Sequence, residues 1–158
     1  MSEVQAVEPR QDWAAFEKHA GGVVLALREL GRAVDASGLD KRLSELLKVR
    51  VSQLNGCAFC LQYHLNLGRQ LGLPALQLDQ LACWRDSPAF APRERAALAW
   101  AEALTLQAAH PDTEAAHGAL QAQFSPAEIA NVTAAIGHIN AWNRIAGGLR
   151  FTPPAPAP

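Results

Sequence analysis

Apolar residues recur along most of the chain at the three- and four-residue steps of an α-helix, and strict strand-type alternation is scarce. The pattern predicts an all-α fold. A first helix is expected over 13–32, interrupted at Gly21-Gly22, and a second over about 40–54, where Leu43, Leu47, Val51 and Leu54 share one face. Asn55-Gly56 breaks it. A third is expected from Cys57 to Leu71, ending at Gly72 with Pro74 just beyond. Shorter segments follow at 75–84, at 92–105 behind Pro92, and up to Ala122 with Asp112 as its cap. The clearest start is Ser125-Pro126-Ala127-Glu128, a capping box with proline at the first helical position and Phe124 and Ile129 placed as a hydrophobic staple. Beyond it Ile129, Val132, Ile136 and Ile139 mark a buried stripe, which Gly147-Gly148 is expected to end.

The two ends lack this pattern. Residues 1–10 carry little periodic signal, and the prolines of 151–158 cannot continue a helix because they have no N–H to donate. The expected organisation is a tail over 1–10, one helical domain over 11–150, and an extended, loosely held Pro-rich tail over 151–158. A chain of 158 residues can bury a core as one domain.

Composition narrows the function classes. Apolar residues make up 49% and charged residues 18%, with a formal net charge of −1 and both signs interspersed. No basic run or basic–aromatic interleaving exists, so nucleic acid is not expected as a partner. No window approaches 18 uninterrupted apolar residues, so no membrane span is expected. The start of the chain lacks the basic and apolar segments of a signal peptide, and the cytoplasm is the expected compartment. Three cysteines, Cys57, Cys60 and Cys83, are too few and odd in number for a structural disulfide framework. In a reducing compartment a Cys-x-x-Cys pair reads as redox-active or metal-binding.

The chemistry concentrates in Cys57-Ala-Phe-Cys60-Leu-Gln-Tyr-His64. On a helix these positions fall within roughly 60° of arc, so both sulfurs and the imidazole share one face. The pair stands at a helix N-terminus, where free N–H groups and the dipole favour a thiolate, so at least one cysteine should have a lowered pKa. Lowering a thiol from about 8.5 to about 6.5 raises its ionised fraction at pH 7 from roughly 3% to roughly 75%, while nucleophilicity falls about eightfold. The net gain is a few-fold, and catalysis needs a proton shuttle as well. His64 is placed for that task. Two other readings stay open. Cys-x-x-Cys with a nearby histidine is also half of a zinc site, which Glu45, Cys83 or another histidine would have to complete. Buried cysteines also pack as small hydrophobes. Cys83, beside Trp84, reads as a structural thiol, and His19, His110 and His117 read as surface residues. His138 fits a polar pocket wall or an exposed face equally well.

The segment Glu45-Leu-Leu-Lys-Val-Arg-Val-Ser-Gln-Leu-Asn-Gly-Cys-Ala-Phe-Cys-Leu-Gln-Tyr-His64 closely resembles the alkylhydroperoxidase AhpD-like branch of the carboxymuconolactone decarboxylase family. That signature is a Glu, eleven residues, then Cys-x-x-Cys-x-x-x-His, matched here by Glu45, Cys57, Cys60 and His64. The segment 92–105 and Asn140-Ala-Trp-Asn-Arg144 are also similar, and the resemblance spans roughly residues 11 to 148. It implies an all-helical subunit in a homo-trimer or homo-hexamer. It further implies a peroxidatic Cys60, a resolving Cys57, and a proton relay of His64 and Glu45. The substrate would be a hydroperoxide or a disulfide, and the electron donor a thiol, such as a dihydrolipoyl protein. No cofactor or resident metal is expected. Phe59 stands where the archetypal peroxidase has a histidine, which leaves the relay to Glu45 and His64. Glu45 takes its role from the resemblance alone. Periodicity places it about 180° from the Leu43/Leu47/Val51 face, where helical glutamates are ordinarily solvated. The rival reading is a non-catalytic redox-sensing or metal-binding oligomeric module.

Overall fold

The computed structural model describes residues 8–157; residues 1–7 of the expected N-terminal tail, and residue 158, lie outside them. Asp12 starts α1 (Trp13–His19) by accepting the Ala15 N–H at 2.7 Å, which satisfies one of the donors that a helix start leaves free. The break falls at Ala20, with φ −130°, one residue ahead of the expected glycines. Gly21 and Gly22 instead begin α2 (Gly21–Ala36), which continues past Arg32. Asp40 caps α3 (Lys41–Asn55) through the Leu43 N–H at 2.7 Å. Gly56 ends it at φ 64°, a left-handed conformation that costs glycine nothing.

α4 (Ala58–Gln70) follows at once, and Pro74 precedes α5 (Ala75–Gln80), which tightens into a 3-10 turn over Leu81–Cys83 rather than staying α-helical to Trp84. Then come α6 (Pro92–Thr105), α7 (Glu114–Gln121) and α8 (Pro126–Leu149). No strand occurs among the described residues. Thr113, not Asp112, is the cap position of α7, although the Asp112 carboxylate still accepts the Glu114 N–H at 3.1 Å. The Ser125 capping box forms in both directions, at 3.3 Å to the Glu128 N–H and 2.8 Å from the Ser125 N–H. α8 runs through Gly147-Gly148 and stops at Arg150, which itself adopts φ 58°.

α3 is the axis of the fold, packed against α4, α6 and α8. It is therefore buried on nearly every side, not on one face. Leu46, Leu47, Val49 and Val51 are fully enclosed with Ala97, Leu98 and Ala101 of α6 and Val132, Ile136 and Ile139 of α8, while Leu54 is only half-buried. Each enclosed Leu or Ile contributes about 1.5–3 kcal/mol. The same enclosure buries Ser44, Glu45 and Ser52. Glu102 on α6, also buried, accepts from Arg50 Nε at 2.7 Å, Trp84 Nε1 at 2.8 Å and Arg85 Nη1 at 2.5 Å, tying the 3-10 segment to α3 and α6.

The C-terminal tail is extended, as its prolines require, but it is firmly held. Phe151 is buried with its ring 5.8 Å from Trp13, 5.7 Å from Phe16 and 5.4 Å from Phe59. Further on, Asn66 of α4 donates to the Ala155 carbonyl and accepts the Ala157 N–H, both at 2.9 Å. Among the described residues no helix is long and apolar enough to cross a membrane.

Candidate active site

The junction of α3 and α4 builds the thiol site. After Gly56 turns the chain, the Cys57 N–H donates to the Ser52 carbonyl at 3.1 Å, which fixes where α4 leaves α3. Cys57 is extended and is itself the cap of α4, its sulfur accepting the Cys60 N–H at 3.4 Å. Both thiols are buried and unbridged, whereas Cys83 is exposed.

This arrangement divides the pair electrically. The Cys60 thiol donates to the Cys57 sulfur, and with the backbone N–H groups of Cys60 and Phe59 it outweighs burial and lowers the Cys57 thiol to about 7. The same hydrogen bond, joined by burial and the Cys57 charge, pushes the Cys60 thiol up, against an opposing hydrogen bond from the Asn143 side chain. Ionisation is thus favoured at Cys57 and opposed at Cys60.

α4 also covers the face of α3 that carries Glu45. Glu45 Oε2 lies 2.6 Å from His64 Nδ1, and Oε1 accepts Lys48 Nζ at 2.7 Å. At 6% exposure Glu45 overturns the solvated position that periodicity assigns it, because α3 has neighbours on its second face as well. Burial would raise its carboxyl, but the His64 hydrogen bond and the charges of His64 and Lys48 hold it below the usual carboxylate value.

These groups meet at a cavity of about 670 Å³. Cys60, His64 and Glu45 line it, and Cys57 lies behind that wall. Trp13, Phe59, Ile139, Trp142 and Pro154 supply apolar walls, so the C-terminal tail takes part in enclosing it. His138 is also a cavity wall. Its Nε2 accepts the Trp142 Nε1–H at 2.9 Å, and burial foremost, with Lys48 nearby, lowers its pKa and keeps the ring neutral. Of the histidines read as surface residues, His19 and His110 are exposed, while His117 is half-buried against Trp100 at 5.5 Å. Among the described residues no group of three or more His, Cys, Asp or Glu is arranged to hold a metal ion.

Sequence reading missed two parts of this site. Lys48 steadies Glu45 from one turn away, which the three-residue spacing could have shown. Asn143 continues the buried stripe of Val132, Ile136 and Ile139, and a polar residue on such a stripe is itself a signal.

With this geometry in place, relatives define the class. A profile of the carboxymuconolactone decarboxylase family matches residues 22–103, just over half of the chain, and the chain belongs to that family. Within the family it belongs to the AhpD-like branch. A solved protein of unknown function from Agrobacterium tumefaciens, provisionally named as the antioxidant defence protein AhpD, shares 38% of its residues at a TM-score of 0.88, over 94% of this chain and 99% of that one. The uncharacterised protein YdfG of Bacillus subtilis is 29% identical, over 75% of this chain and 81% of its own. The debrominase Bmp8 shares the fold at a TM-score of 0.78 with 21% identity, over 87% of this chain and 74% of that one.

Proposed function

We propose that the protein is a thiol-dependent peroxidase or disulfide oxidoreductase, cycling Cys57 and Cys60 between dithiol and disulfide with Glu45 and His64 as the proton relay. The convergence of Cys60, His64 and Glu45 on one largely apolar cavity carries this reading. Glu45 occupies His64 Nδ1, which leaves Nε2 to exchange protons with whatever enters. Cys60 faces the substrate, so Cys60 attacks: its thiolate forms an S–O bond as the O–O bond of a hydroperoxide breaks. The sulfur loses two electrons, and the leaving alkoxide takes its proton from His64 Nε2 while Glu45 holds Nδ1. Cys57 then attacks the sulfenic acid, forming the disulfide and releasing water. An external dithiol, such as a dihydrolipoyl protein, returns the two electrons. The antioxidant name of the Agrobacterium relative supports the same reading. The pair needs a reducing compartment such as the cytoplasm to be regenerated.

The test is stopped-flow mixing of reduced protein with a simple alkyl hydroperoxide, counting thiols before and after. Rapid loss of two thiols is expected, and none in Cys60→Ser. Equal loss in Cys60→Ser, or no loss in the parent, removes peroxide chemistry and favours redox sensing, with Phe59 standing where an acid or base would be needed.

A further inference from the structure

The attack by Cys60 requires its own thiol to ionise, against the hydrogen bond to Cys57 and the burial that push it up. Where Cys57 is ionised, the proton can pass from the Cys60 thiol to the Cys57 thiolate, leaving the total charge unchanged. Something beside Cys60 has to offset the cost. The basic groups that line the cavity with it are paired elsewhere, Lys48 and His64 with Glu45, Lys41 with Asp35, Arg28 with Glu17, Arg32 with Glu29 and His138 with Trp142, and its own backbone N–H is spent on Cys57.

Besides His138, α8 brings a second polar side chain to this place. Asn143 is 4% exposed, one turn beyond the cavity residue Ile139. Its orientation is dictated by its neighbours. Asn55 Nδ2 donates to Asn143 Oδ1 at 2.9 Å and to Asn140 Oδ1 at 3.0 Å, and Asn143 Nδ2 donates to Ser52 Oγ at 3.1 Å. With the oxygen committed to Asn55, the amide nitrogen lies on the side of Ser52, whose carbonyl holds the Cys57 N–H at 3.1 Å, and its second N–H is the one available to the Cys60 sulfur. Asn55 and Ser52 belong to the last turns of α3, just before Cys57, so the network that aims the amide also anchors the thiol helix.

We infer that Asn143 is a catalytic residue, an amide donor that stabilises the Cys60 thiolate and so lets the cavity-facing sulfur ionise. The hydrogen bond from Asn143 already opposes the upward push on the Cys60 thiol. Asn55 is the positioning residue that holds the amide in this orientation. The inference rests on Cys60 as the attacking sulfur, yet its test reads ionisation and not turnover.

The experiment uses the full chain carrying Cys57→Ser and Cys83→Ser, so that Cys60 is the one thiol. The rate of its alkylation by iodoacetamide is followed against pH. Asn143→Ala is expected to move the profile up by about one pH unit, about tenfold less thiolate below the midpoint. Asn143→Asp has the same shape and keeps an acceptor for Asn55, but it replaces the donor with a carboxylate. It should move the profile at least as far. Thr133→Val, which removes the Trp100 Nε1 hydrogen bond of 3.0 Å elsewhere on α8, should leave the profile in place. Coincident profiles for both Asn143 variants and the parent overturn the inference, and so does an equal shift in Thr133→Val. Failure of peroxide turnover in the unmodified protein would instead strike the proposed reaction and leave this profile standing.

Discussion

At the scale of single residues, Glu45 shows best what chemistry the fold permits. It is a buried carboxylate with two partners, Lys48 on one oxygen and His64 on the other. The carboxylate charge, and not only its shape, is what Glu45 presents to His64 Nδ1 at 2.6 Å. Glu45→Gln keeps the size and loses that charge, so peroxide reduction should fall by about 10²-fold. Thiol alkylation by a neutral reagent should change little, because the thiols do not contact Glu45. A single-turnover measurement checks this, and an unchanged peroxide rate would remove Glu45 from the relay. The burial of Glu45 was not legible from helical spacing, because spacing reports one apolar face and cannot show that α3 has helices on both sides. The match of Glu45, Cys57, Cys60 and His64 to a spaced signature marks Glu45 as a candidate relay residue, and says nothing of its burial.

At the scale of elements, local signals carried furthest. The Ser125 capping box and the Gly56 stop are decided within a few residues, and both stand as read. Boundaries that depend on remote packing moved instead. Gly21-Gly22 form the first turn of α2, which lies on α8, and the turn between the helices falls to Ala20. The tail was misjudged for the same reason: its prolines show that it is extended, but nothing local reveals that Phe151 has an aromatic socket. Phe151→Ala should therefore cost about 3–5 kcal/mol, a large loss for a residue outside any helix. Thermal melting checks it, and a cost below about 1 kcal/mol would mean that the tail only rests on the surface.

At the scale of the whole molecule, the all-α class was legible throughout, since the helical step persists across nearly the entire chain. Assembly is the remaining expectation. α2 leaves Val23, Leu25 and Leu30 at 50%, 60% and 41% exposure, and Val23 and Leu30 align one above the other at heptad spacing. A second copy of this chain is the occupant proposed for that surface, within a homo-trimer or homo-hexamer. Light scattering should give three or six subunits, and Leu30→Glu should lower the mass. A parent that runs as a monomer would end the proposal.

The cap of α4 is a sulfur, and this couples the backbone to the electron count. When Cys57 is a thiolate it is an anion at a helix start, accepting an N–H that has no other partner. As half of a disulfide it is neutral and a far poorer acceptor. In the proposed cycle each oxidation would therefore unfasten the first turn of the helix that carries Cys60 and His64, and each reduction would fasten it again. On that proposal the redox state of the pair would be felt as looseness or tautness at one point, the turn beside the cavity.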